Sequence, residues 1–252
     1  MGNAIIFLIV FAAIQWGATF GIQTLWKHLA GSPDITSAML VTSSVTSSLI
    51  AGTVFICARW TRVSRNYIRT RPWSVLLWSC MAAVGSLAPV MWMQEMLPEL
   101  PLEYEHLYSL ILKDRWGYLA VGLLAPLVEE IVFRGAIAKA LLDWKNSPAV
   151  AVTVSALLFA LIHGNLAQMP HAFLSGLLLG WMYVRTGSIL PGVAFHWVNN
   201  SASFMLYNMY RGNDVTLKTV FGSDAKVMLA IAFSLLILLP SLMQLHLRMK
   251  KA

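Results

Sequence analysis

The sequence predicts an all-α, polytopic membrane protein with about eight transmembrane helices, folded as a single membrane domain over residues 1–252. Hydrophobic residues make up 58% of the chain and charged residues 12%, and the mean hydropathy is +0.68 over the whole length. A soluble domain of this size cannot bury that much apolar surface. The charged residues also fall mainly between apolar stretches, each long enough to cross about 30 Å of hydrocarbon as a helix.

Taken in order, the apolar stretches define the predicted helices. The first stretch has no positively charged segment before it and no small-residue cleavage pattern after it, so we expect a retained helix, not a signal peptide. Lengthy polar stretches occur at 59–72, 95–116 and 210–226. The eight candidate spans lie near residues 4–25, 36–58, 73–94, 117–141, 148–164, 171–185, 190–209 and 227–246.

Charge distribution predicts the orientation of these spans. A basic cluster between the second and third spans is expected on the cytoplasmic side, which with eight spans places both termini there. The inside group comprises Arg59, Arg62, Arg65, Arg69, Arg71, Lys139, Lys145, Arg185, Arg248, Lys250 and Lys251, and the acidic outer group comprises Glu95, Glu99, Glu103 and Glu105. We expect a bacterial plasma membrane protein. Basic loops facing anionic lipid account for the net charge of +7, so no nucleic-acid partner is expected.

The fourth span contains three charged residues, Glu129, Glu130 and Arg134. A charge at the centre of a bilayer costs about 3 kcal/mol on insertion scales, so such residues persist mainly where they pair or take part in function. At α-helical spacing Glu130 and Arg134 share a face and can form an ion pair. Glu129 points roughly 100° away, which leaves its carboxylate free to act as a general base in a cavity. The alternative is that the three residues only join neighbouring helices.

Two later spans carry further polar pairs at one-turn spacing. Phe159 and His163 end the fifth span, and His196 and Asn200 lie in the seventh. Each residue alone is typical of helix packing. Together with the carboxylates, however, two histidines and an asparagine from three apolar helices are the components of a hydrolase.

These three motifs, in their order and spacing, resemble those of the CAAX-processing and bacteriocin-immunity (CPBP or ABI) intramembrane proteases, relatives of the Ras-converting endopeptidase. The resemblance covers residues 117–205, the expected catalytic core, and no motif is placed in the first 115 residues. It implies that Glu129 and His163 activate a water molecule. It also implies that His196 and Asn200 stabilise the oxyanion through an imidazole N–H and an amide. The expected structural supports are Glu130, Arg134 and Phe159.

Several alternatives remain open at the level of sequence. Glu129 with two histidines could hold zinc, with His171 and Gln168 widening the site, although HExxH is absent and the resemblance favours glutamate-dependent hydrolysis without a cofactor. Intramembrane carboxylates and histidines also occur in proton-coupled transporters. A non-catalytic immunity or regulatory protein that binds a partner is a third alternative.

The expected partners are the lipid bilayer and a membrane-associated peptide or protein substrate. Some relatives remove the last three residues of prenylated CAAX proteins and others process peptides, so the resemblance leaves substrate identity and prenylation open. Cys57 and Cys80 lack CxxC spacing and are expected to be inert apolar residues.

Overall fold

A computed structural model describes residues 1–30, 34–61, 65–97, 102–164, 166, 168–210 and 215–250. All regular elements in these ranges are helices, so the all-α prediction is confirmed. The helices are α1 (Gly2–Ala30), α2 (Ser37–Cys57), α3 (Arg65–Arg69), α4 (Trp73–Glu95), α5 (Leu102–Lys113), α6 (residues 118–145), α7 (Pro148–Ile162), α8 (Met169–Thr186), α9 (Leu190–Met209), α10 (Leu217–Phe221) and α11 (Asp224–Arg248).

Within the described ranges, four helices are long and apolar enough to cross a membrane: α1, α2, α4 and α11. The other four candidate spans correspond to α6, α7, α8 and α9. Of these, α7 is apolar but only 15 residues long. The structure therefore agrees with a membrane protein, and the count of eight spans stays a prediction.

The polar stretches contain three helices that the hydropathy pattern did not predict, α3, α5 and α10. The carboxylate of Glu95 accepts a hydrogen bond from the first N–H of α10, on Leu217, which ties the end of α4 to that helix. Several residues used to predict orientation lie outside the described chain. They are Arg62, Glu99 and Lys251, together with the side chains of Arg65, Glu103 and Glu105.

Helix α6 is not a regular α-helix. It is π-helical over Tyr118–Leu124, α-helical over Ala125–Glu129, π-helical over Glu130–Ala138 and α-helical over Lys139–Lys145. Wide turns of this kind are rare and are frequently found at functional sites. The α-helical period assumed from the sequence therefore holds for only part of this helix.

Helix α6 lies at the centre of the bundle. All nine residues of its second π-helical segment are buried, and the segment contacts α1, α2, α7 and α8. Outer helices present large apolar side chains to the surroundings instead. Trp16 and Phe20 of α1 are 77% and 72% exposed, and Leu236 of α11 is 68% exposed. Such faces are typical of helices that contact lipid.

Short turns bring the motif-bearing helices together. Asn146 adopts a left-handed conformation (φ 49°) that ends α6, and the Ser147 hydroxyl then accepts the Val150 N–H at the start of α7. Gly187, also left-handed (φ 68°), ends α8 two residues before Ile189 caps α9. Because these turns are short, α7, α8 and α9 fold back and pack against α6.

Candidate active site

A buried ion pair anchors the site. Glu130 and Arg134 are fully buried, and the Arg134 Nη1 group donates to Glu130 Oε1 at 2.8 Å. The Arg134 Nη2 group donates to the Gly176 carbonyl of α8 at 3.3 Å, and the guanidinium lies 4.5 Å from the ring centre of Phe159 on α7. Arg134 thus joins three helices, and its charge is compensated by a carboxylate, a carbonyl and an aromatic face.

His196 of α9 lies between the two adjacent glutamates. Its Nδ1 atom is 3.2 Å from Glu130 Oε1, and its Nε2 atom is 3.6 Å from Glu129 Oε2. Because Glu130 Oε1 already accepts from Arg134, it acts as a carboxylate acceptor, and the His196 Nδ1–H donates to it. The imidazole is therefore fixed by Glu130, with its other nitrogen directed toward Glu129.

Gly192, one turn before His196, makes room for this arrangement. A Cβ atom at position 192 would lie 2.6 Å from Glu130 Oε2. That oxygen is buried and has no hydrogen-bond partner among the described residues. The absence of a side chain at position 192 allows the Glu130 carboxylate to approach α9 closely.

Phe159 and His163 form the α7 side of the site. The His163 Nδ1 atom is 2.7 Å from the Phe159 carbonyl oxygen. Since a carbonyl only accepts, Nδ1 carries the proton, and Nε2 of a neutral ring presents a lone pair. The Phe159 ring stands nearly perpendicular to both imidazoles, with ring centres 4.9 Å from His163 and 5.9 Å from His196. Phe159 therefore packs against both histidines and Arg134.

Asn200 is held against the first π-helical segment of α6. Its Nδ2 group donates to the Val121 carbonyl at 3.1 Å. Neighbouring residues of α9 add two contacts, because the Trp197 indole N–H donates to the Tyr118 hydroxyl and that hydroxyl pairs with Ser201 Oγ, both at 3.0 Å. These contacts fix the position of Asn200 relative to α6.

A cavity of about 410 Å³ is lined by side chains from all three motifs, Glu129, Phe159, His163, His196 and Asn200. Glu130 and Arg134 are fully buried and do not line this cavity. The Glu129 side chain is 24% exposed, so its carboxylate is accessible from the cavity. The structure therefore brings the predicted site residues together at one place.

Glu129 and His163 also line a second, smaller cavity of about 240 Å³. Its other walls come from α1 and α2 and include the polar residues Gln15, Ser44 and Ser48. The carboxylate and the imidazole can thus be approached from two sides. No motif in the first 115 residues predicted this contribution, because it depends on the packing of α1 and α2 against α6.

Other residues also line the larger cavity. His171 and Gln168, which the sequence suggested only as possible additions to a zinc site, both line it. Tyr108 of the unpredicted helix α5 lines it too, and nothing in the sequence singled it out. Both His171 and Gln168 were noticeable as polar residues beside an apolar stretch. Among the described residues, no group of three or more His, Cys, Asp or Glu side chains is arranged to hold a metal ion.

The fold and the site together define a helical membrane protein with a buried carboxylate and histidine centre. Residues 112–202 match the model of a protein family described as type II CAAX prenyl endopeptidase Rce1-like. The matched segment runs from the end of α5 into α9, contains all three motifs and covers a little over a third of the chain. This match confirms that residues 112–202 resemble the CAAX-processing protease family. Comparisons with curated proteins and with solved structures gave no match.

Proposed function

We propose that this chain is an intramembrane endopeptidase that hydrolyses a peptide bond of a membrane-associated peptide or protein, using a glutamate and not a metal ion. The observation that carries the proposal is that Glu129, His163 and His196, from three different helices, line one cavity. The match of residues 112–202 to the model of a family described as type II CAAX prenyl endopeptidase Rce1-like supports it.

In the proposed reaction, Glu129 is the general base. A water molecule held between its carboxylate and the His163 Nε2 lone pair loses a proton to Glu129 as the oxygen attacks the scissile carbonyl carbon. When the tetrahedral intermediate collapses, the same proton passes to the leaving amide nitrogen. The accessible carboxylate of Glu129 and the Nδ1–H to carbonyl hydrogen bond of His163 support these roles.

His196 and Asn200 are the proposed oxyanion donors. Asn200 uses one of its two amide hydrogens on Val121 and retains the other. His196 donates its Nδ1–H to Glu130, so donation from Nε2 as well requires an imidazolium. Glu130 lies 2.8 Å from Arg134 and 3.2 Å from His196, and Glu129 lies 3.6 Å from His196, so two carboxylates face these two basic side chains. Donors of this kind typically contribute about 3–4 kcal/mol to transition-state stabilisation.

A comparison of membrane-associated peptides tests the proposed function. Cells producing the wild-type chain, Glu129→Gln or Asp143→Asn are compared by mass spectrometry, with prenylated cysteine included in the search. Asp143 is a matched control because its carboxylate lies on the same helix, is 65% exposed and pairs with Lys139. We expect new peptide termini with the wild type and Asp143→Asn that disappear with Glu129→Gln. Identical peptides from all three would contradict protease activity and favour a partner-binding role.

Metal analysis of the purified wild-type protein and Glu129→Gln separates the proposed mechanism from a zinc mechanism. We expect a chelator to leave the cleavage activity unchanged. We also expect the zinc content of the purified protein to be the same with and without the Glu129→Gln substitution. One zinc per chain, lost together with activity on substitution of Glu129, would assign these residues to a metalloprotease.

A further inference from the structure

The Val121 carbonyl accepts the Asn200 amide, and neither regular helical spacing supplies this carbonyl with a backbone donor. In an α-helix its donor would be the N–H of Ala125, four residues later, but that N–H donates to Ala120 instead. In a π-helix its donor would be residue 126, five residues later. Residue 126 is proline, which has no N–H.

Pro126 is buried at the junction where the first π-helical segment of α6 meets the α-helical segment that carries Glu129. It removes the one backbone donor that the π-helical spacing would supply to Val121. An unpaired carbonyl inside an apolar bundle is costly, so a side-chain donor satisfies it favourably. The Asn200 Nδ2 group, 3.1 Å away, is that donor.

We propose that Pro126 is a positioning residue for Asn200. By leaving the Val121 carbonyl without a backbone donor, Pro126 gives the Asn200 amide a fixed anchor on α6. The anchored amide uses one hydrogen on Val121, which directs the second toward the cavity that Asn200 lines. This inference rests on the proposed function, because it takes the anchored amide of Asn200 to be an oxyanion donor.

A double-mutant cycle of Pro126→Ala and Asn200→Ala tests the proposal. Alanine at position 126 restores an N–H at π-helical spacing, which competes with Asn200 for the Val121 carbonyl. We expect Pro126→Ala to lower kcat roughly tenfold with little change in KM. This loss of kcat is smaller than the roughly 100-fold or larger loss that is typical when an oxyanion donor is removed. In the Asn200→Ala background, the same substitution should leave kcat unchanged.

Pro240→Ala is the matched control, since Pro240 also lies inside a helix, but at an exposed position of α11. It should retain the wild-type kcat. A wild-type kcat for Pro126→Ala, or an equal loss of kcat in both Asn200 backgrounds, would overturn the positioning role.

Thermal unfolding of the same four proteins in detergent provides a readout independent of cleavage. The shifts in Tm caused by Pro126→Ala and Asn200→Ala should be non-additive, because both substitutions break the same amide-to-carbonyl hydrogen bond. Non-additive shifts with a normal kcat for Asn200→Ala would support the anchor and contradict the proposed oxyanion role. Additive shifts would overturn the anchor itself.

Discussion

At the scale of single residues, the two ion pairs of α6 differ in what surrounds them. Glu130 and Arg134 are fully buried, whereas Lys139 and Asp143, with the same four-residue spacing, are 35% and 65% exposed. Water can solvate either member of the exposed pair when the other is removed. It cannot reach the buried pair, so only there is a lone charge strongly unfavourable.

We therefore expect Arg134→Ala or Glu130→Ala to lower the free energy of unfolding by about 3–5 kcal/mol. Lys139→Ala, the matched control on the same helix, should cost less than about 1 kcal/mol. Unfolding of each purified variant in detergent measures the difference. Equal stabilities for Arg134→Ala and Lys139→Ala would show that the buried pair does not support the fold.

The grouping of the candidate site residues on each helix was partly predictable, because residues four apart lie on nearly the same face of an α-helix or a π-helix. The Glu130 to Arg134 pair follows from a four-residue separation, and the structure shows it at 2.8 Å. Contacts between helices were not predictable in this way. Spacing along the chain does not show that His196 lies between both glutamates, or that Ser44 and Glu129 line the same cavity.

At the scale of helices, the close approach of α9 to α6 depends on a residue without a side chain. A methyl group at position 192 would lie 2.6 Å from Glu130 Oε2, and the carboxylate cannot move away without losing its bonds to Arg134 and His196. Overpacking of this kind typically costs about 1–3 kcal/mol.

Gly192→Ala should therefore reduce both stability and cleavage, because it displaces the group that fixes His196. Gly21→Ala in α1 is the matched control, since a Cβ there meets nothing within 4 Å, and it should be neutral or slightly stabilising. Parallel assays of cleavage rate and thermal unfolding compare the two. Full activity of Gly192→Ala would mean that the exact position of Glu130 is unimportant.

Hydropathy predicted the helices unevenly. The candidate spans 36–58, 73–94 and 190–209 agree closely with α2, α4 and α9, because long apolar runs bounded by polar residues define their ends. The π-helical turns of α6 were not predicted, since an apolar run of residues does not distinguish π-helical from α-helical hydrogen bonding. Helix α5 was missed because its sequence mixes apolar and charged residues.

At the scale of the whole molecule, the positive-inside rule predicts the topology. With eight spans, the N-terminus and the C-terminus lie on the same, cytoplasmic side. Reporter fusions at each end, one type active only in the cytoplasm and the other only outside it, measure this directly. We expect both ends to activate the cytoplasmic reporter. Reporters active on opposite sides would require an odd number of spans and contradict the predicted topology.

We propose that Glu129, His163 and His196, contributed by α6, α7 and α9, act as one catalytic unit. Residues that act as a unit have strongly non-additive effects on catalysis. The most direct test is the cleavage rate of one identified substrate by Glu129→Gln, His163→Ala, His196→Ala and the triple variant, each verified as folded by thermal unfolding. We predict that every single variant is nearly as inactive as the triple variant. Single variants that retain substantial activity, with losses that multiply in the triple variant, would contradict a shared site.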